Sequence, residues 1–232
     1  MRKPILIISA IVFTVTGCAS VPEINSSFRR IDRLWQLETQ KIEDAFRHRV
    51  IDADYSVVFP QVKKTFLDLG MPVQKSSVSE GLILAENEAP HPLTMEEWAQ
   101  VVKVEGPRVK EIGGWMFNLS ANPKGYIVTV AAGLKAVRDK TFVLLDYRLD
   151  MPDYRRMGFT TSEHAPPLAV QIGAMKFWTQ LDKNLKKVGA PSLRKRRADE
   201  IHPSVVDQQE YWEVPSRVLA VAVLPVDRTR TK

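Results

Sequence analysis

One cysteine in 232 residues narrows what this chain can become. With no second thiol there is no internal disulfide, so a hydrophobic core and hydrogen bonds alone must hold the fold. The material for such a core is present. Apolar residues make up 44% and charged residues 26% of the chain, close to globular averages, and the length predicts one main domain with appendages. The cysteine, Cys18, closes an apolar run. Met1-Arg2-Lys3-Pro4 precedes Ile5 to Phe13, and small residues follow. A positive start, a short apolar stretch and a small-residue cut site are the parts of a secretory leader, too short for the roughly 20 residues of a spanning helix.

Val15-Thr16-Gly17-Cys18 resembles the lipobox of bacterial lipoproteins, in which an aliphatic residue, a small residue and Gly or Ala precede an obligatory Cys. The resemblance implies that residues 1–17 are removed and that Cys18 becomes the first residue of the mature chain, thioether-linked to diacylglycerol and N-acylated. Sulfur suits this role because a thiolate attacks the lipid donor where a serine hydroxyl needs a strong base. Two or three acyl chains anchor durably where one binds marginally. In didermic lipoproteins an Asp after the Cys favours inner-membrane retention. Ala19-Ser20 in its place implies the outer membrane, facing the periplasm.

The formal charge is +6 and falls by two when Arg2 and Lys3 leave with the leader. An exported basic body meets lipid headgroups and cell-wall polymers, which makes anionic envelope surfaces its expected partners and excludes nucleic acid.

After a linker at Ala19–Glu23, the stripe Phe28, Ile31, Trp35, Ile42, Ala45 or Phe46 and Val50 repeats at helical spacing and predicts an amphipathic helix from Ser26, completing an anchor-and-helix segment over 18–50. It can form a coiled-coil stalk or dock on its own domain. Glu38 interrupts the seam and favours docking.

Residues 51–188 read as the body. Asp54 caps a helix with Tyr55, Val58, Phe59, Val62, Phe66 and Leu69 on one stripe and a stop at Gly70. Strands follow at Pro72–Ser77 and Leu82–Glu88 about a turn at Ser79-Glu80-Gly81. The phrase from Tyr55 to Ala85, with "LGMPV" and "GLILA", resembles a helix-plus-hairpin unit of small envelope accessory lipoproteins of the BamC type; that implies a fold and carries no functional residue over. Thr94 and Glu97 form a capping-box signature for a helix expected to end by Glu105-Gly106-Pro107. Strands are expected at Trp115–Leu119, Tyr126–Leu134 and Thr141–Leu149, the last with Val143, Leu145, Tyr147 and Leu149 on one face and Phe142, Leu144, Asp146 and Arg148 on the other. Leu168–Leu185 predicts a closing helix with Val170 or Gln171, Ala174, Phe177, Trp178, Leu181 and Leu185 inward. The fold expected is α+β: an antiparallel sheet of about five strands with helices mainly on one face. Residues 189–232 read as a basic tail with an apolar strand-like segment.

Chemistry-bearing motifs are sparse. The four histidines, His48, His91, His164 and His202, stand far apart, so no metal site and no cofactor are expected. Ser162-Glu163-His164 lacks the G-x-S-x-G context of a hydrolase elbow. His164 reads as an exposed loop imidazole. The pairs Glu86 with Glu88 and Asp150 with Asp153 match solvated faces, no phosphate-binding glycine loop is present, and no catalytic residue is assigned.

Two stretches suggest partners. Lys186, Lys187, Arg194, Lys195, Arg196 and Arg197 place six cations in twelve residues, suited to an anionic lipid or cell-wall surface at about 1 kcal/mol per residue. Val218–Val226 is apolar and calls for burial, against its own sheet edge or that of an envelope protein. The expected function is a lipid-anchored, non-catalytic accessory, scaffold or binding component of an envelope assembly. The alternatives are a cell-wall polymer-acting enzyme, marked by convergent carboxylates in a cleft, and a binder of small lipidic ligands, marked by an apolar cavity between Leu168–Leu185 and the sheet.

Overall fold

The computed structural model describes residues 20–114, 117–161 and 164–190. In chain order these form α1 (Val21–Phe46), β1 (His48–Ile51), α2 (Tyr55–Asp68), β2 (Val73–Ser77), β3 (Leu82–Glu88), α3 (Met95–Gly113), β4 (Ile127–Val137), β5 (Lys140–Asp150), α4 (Pro152–Arg156) and α5 (Pro167–Lys187). The five strands make one antiparallel sheet in the order β1-β5-β4-β3-β2, an α+β architecture. Among the described residues no helix is long and apolar enough to cross a membrane.

The period of two along the strands decides which face is dry. Val143, Leu145 and Leu149 of β5 share a face with Val128, Val130, Ala132 and Leu134 of β4 and with Ile83 and Ala85 of β3. Onto it pack Val58, Val62 and Phe66 of α2 and Ala174, Phe177, Leu181 and Leu185 of α5, with the Phe66 and Phe177 rings 5.0 Å apart. Each large side chain so buried contributes about 1.5–3 kcal/mol. Polar links also cross the helix pair, and Gln180 of α5 donates to Asp68 Oδ2 of α2 at 3.0 Å. Buried Asn184 donates to Thr65 Oγ1 at 3.1 Å and to Asp68 Oδ2 at 2.9 Å.

A second cluster holds α1 to the body. Ile31 and Trp35 of α1 meet Trp98, Val101 and Val109 of α3 and Ala169 of α5. The amphipathic helix therefore lies along its own domain. It starts at Val21 rather than Ser26, with Glu23 accepting from the Ser20 backbone N–H at 2.7 Å. Its stripe stops short of Val50, which belongs to β1 and is half exposed. Sequence periodicity carried the helix too far because Val50 happens to fall in phase.

The hairpin β2–β3 turns at Gly81, whose φ of +63° and close approach to the Leu134 carbonyl leave no room for a side chain. The Thr94 capping box forms as expected, but α3 continues through Gly106-Pro107 to Gly113. A proline inside a helix loses one backbone hydrogen bond and crowds the residue before it; Gly106, without a Cβ, relieves part of that crowding. The segment 117–119 is not a strand. Phe117 turns instead onto Phe28, ring centroids 5.0 Å apart, and Leu119 enters the α1–α3 cluster. The fifth strand is β1, which falls across the boundary expected at residue 51 and is too short to show periodicity. The loop after β5 contains the short helix α4, started by Pro152.

Candidate functional site

Two hollows flank the docked α1, one polar and one apolar. The polar cleft, about 260 Å³, lies between the second half of α1, β5 and the start of α5. Asp146 is its hub. It accepts from Arg47 Nη2 at 3.0 Å and from Arg148 Nε at 3.1 Å, while Arg47 Nε also donates to the Leu145 carbonyl at 3.0 Å. Tyr147, also on its wall, has its phenol pushed far up by burial and stays neutral at physiological pH.

His164 sits at the same cleft, half-buried rather than exposed. Its backbone N–H donates to Asp32 Oδ1 at 3.0 Å and its ring Nδ1 lies 3.0 Å from the same oxygen. The loop is thereby pinned to α1. The ring that sequence places beside Ser162 and Glu163 faces a carboxylate 132 positions away, so its role is to position a helix.

On the far side of α1, Arg108 of α3 clamps Glu38 with both terminal nitrogens and lies 3.6 Å from Glu105 Oε2. Glu105 is almost wholly buried. Burial raises its carboxyl above the usual glutamate range, against the lowering effects of the Leu168 N–H and Arg108. Glu38, held by the same guanidinium, is lowered instead. The residue that breaks the apolar seam of α1 is thus the residue that fastens it.

The apolar hollow, about 180 Å³, lies under the first half of α1 and is lined by Ile24, Phe28, Ile31 and Trp35, by Val109, by Phe117, Asn118 and Leu119, and by residues at the sheet end and α4. Tyr126 on its wall has its phenol pushed up to about 12 by burial, aided by Tyr154. The space between α5 and the sheet, where an apolar cavity would have marked a lipidic ligand, is filled by the side chains of the main core, with the polar cleft at its α1 edge; the apolar hollow lies on the α1–α3 side.

The expected site residues divide sharply. Lys186 and Lys187 end α5, exposed, where cations complement the helix dipole, and Lys186 also pairs with Asp182 at 2.6 Å. Cys18, Arg194, Lys195, Arg196, Arg197 and Val218–Val226 lie outside the described residues. Glu88 accepts from the Gly125 N–H, and Asp150 and Asp153 pair with Arg155 and Arg156, so these carboxylates brace surface turns. Among the described residues no group of three His, Cys, Asp or Glu side chains stands close enough to hold a metal ion. The Asp32–His164 and Glu38–Arg108 contacts had no local sequence signal. No family model matches the chain, and no curated protein matches it.

Proposed function

We propose that this chain is a lipid-anchored protein of the cell envelope that works by binding, as a non-catalytic accessory or scaffold component of an envelope assembly facing the periplasm. The observation that supports the reading is how firmly α1, which starts close to Cys18 in sequence, is tied to the body. The helix begins three residues after Cys18, packs against α3 and α5 along its length and runs directly into the sheet through β1. A lipobox followed by so short a linker holds the domain at a fixed height over the bilayer instead of letting it range on a flexible tether. The charged groups of the polar cleft support a non-catalytic role. Asp146 joins two arginines and Asp32 holds His164, so these groups tie elements together.

Metabolic labelling with a palmitate analogue tests the anchor. The wild-type chain is expected to carry label and partition into detergent, and Cys18→Ser to do neither; a labelled Cys18→Ser protein, or an unlabelled wild type, overturns the reading. Crosslinking in intact envelopes tests the assembly. Specific crosslinked species that persist under denaturing conditions are expected, and a protein that crosslinks to nothing but lipid refutes a scaffold role.

A further inference from the structure

The pleat assigns every strand residue to one of two sheet faces, and α2 and α5 cover the face of Val130 and Leu145. On the opposite face stand Leu82 and Leu84 of β3, Ala131 and Gly133 of β4, and Phe142 and Leu144 of β5, with Leu82, Gly133 and Leu144 side by side in one row. Small residues on β4 between larger ones on β3 and β5 shape a trough two strand spacings, about 9.6 Å, across. None of these side chains belongs to either apolar cluster, and among the described residues no helix packs on them. Yet Leu82 is 3% exposed, and Ala131 and Phe142 are 7% exposed. Cross-strand neighbours, such as His48 with its ring 5.6 Å from that of Phe142, shield the flanks of a side chain and not its tip. Burial this deep requires a layer over the face.

Such a layer must be apolar, long and within reach. Two long stretches lie outside the described residues, 1–19 and 191–232. Gln180 of α5 donates to Asp68 and Asn184 donates to Thr65, so α5 runs antiparallel to α2. The first turn of α2 lies at the sheet end where Tyr55 donates to the Val78 carbonyl of the β2–β3 turn. Helix α5 therefore delivers Ala190 toward that end, where the row of Leu82 begins. Ser20 leads into α1 at the other end, where Ile24 and Phe28 meet Leu149 and Met151 past the last turns of β5. Position thus favours 191–232, and so does composition, since Val218 to Leu224 are apolar without a break. We propose that Val218–Val226 docks in the trough on the second face of the sheet and completes the body as its missing layer. The inference goes beyond the anchored-scaffold reading and does not depend on acylation of Cys18.

Gly133 offers the probe position on the trough floor. A Cβ added there would meet nothing within 4 Å, so a cysteine sulfur can stand between floor and cover. In the full chain carrying Cys18→Ser, Gly133→Cys is combined with one cysteine at each position from Val218 to Leu224 in turn, and each pair is oxidised. Intramolecular disulfides at a subset of positions are expected, in yields unchanged by dilution, and none when Gly133→Cys is exchanged for Lys103→Cys on the exposed side of α3. With Gly133→Cys as the single thiol, maleimide labelling should be slow and should quicken about tenfold or more when Val221→Asp and Val223→Asp are added, because unpaired carboxylates cannot be buried in an apolar trough. Ala131→Cys, one row along, repeats both readouts if Gly133→Cys fails to fold. Fast labelling with the segment unaltered overturns the cover. Disulfides that form equally well with Lys103→Cys overturn it too, as mere random encounter. Disulfides that form only between chains, their yield falling on dilution, replace the segment's own sheet with that of a second copy. A protected thiol with no disulfide at any of the positions assigns the layer to 1–19 or to a partner and likewise refutes the proposal.

Discussion

Truncating Ile31 and Leu181 to alanine compares two buried aliphatic residues of equal size in different surroundings. Leu181 is fully buried between α5 and the sheet, and Ile31 is 3% exposed on the wall of the apolar hollow. Each truncation deletes three carbons, a transfer loss of about 2.4 kcal/mol at ~0.8 kcal/mol per methylene. Leu181→Ala also leaves a closed void of roughly 70 Å³. At ~24 cal/mol per Å³ that adds about 1.7 kcal/mol, for a total near 4 kcal/mol. Ile31→Ala merely enlarges an existing hollow that opens at its rim, so little cavity cost is added and the total stays near 2.5 kcal/mol. Urea denaturation with unchanged slope reads both values, and hydrogen exchange locates the second in α1. Equal losses within about 0.5 kcal/mol would refute the hollow, and a loss below about 1 kcal/mol for Ile31→Ala would refute the docking of α1.

Glu105 gives the stability curve a definite slope. Its raised carboxyl pKa means the native state binds more protons than the unfolded chain above about pH 4.3, so its contribution declines as pH rises from there through the raised value. Glu105→Gln should flatten that limb when urea midpoints are measured from pH 4 to 8, and an undiminished slope would assign it to another group. Asn184→Ala should cost about 1–3 kcal/mol by removing the donor that Thr65 and Asp68 share between α2 and α5. A neutral result in thermal denaturation would show that water replaces the amide without loss.

How much of this was legible in sequence depended on how local the cause was. The α5 stripe from Val170 to Leu185, the Thr94–Glu97 box and the alternation of β5 each reflect interactions within one element, and the structure reproduces them. Gly106-Pro107 misled because the cost of a proline depends on its neighbour, and the neighbour here is the one residue that relieves the crowding. β1 was missed because four residues cannot display a period. The hollows were out of reach for a different reason. Asp32 with His164, Glu38 with Arg108 and the burial of Trp35 are facts about how α1 is laid down, and a single helix reads the same in sequence whichever surface it lies against.

The route by which α1 enters the sheet has a mechanical consequence. A pull applied at Ser20 enters α1 at Val21 and reaches β1 only after passing the apolar seam of Ile31 and Trp35 and, among the described residues, four polar fastenings: Asn25 to the Thr160 N–H at 2.8 Å, Asp32 to His164, Glu38 to Arg108, and the Phe46 carbonyl to the Trp178 indole N–H. Behind them stands a strand with four ladder positions on β5, while β4 and β5 share eleven. The weak links thus lie in series ahead of the strong one, and a dragged molecule yields at α1 while the α2–α5 core stays whole. The 26 residues released span about 1.5 Å each as helix and about 3.4 Å each when drawn out. The helix is therefore a fuse holding roughly 50 Å of spare line.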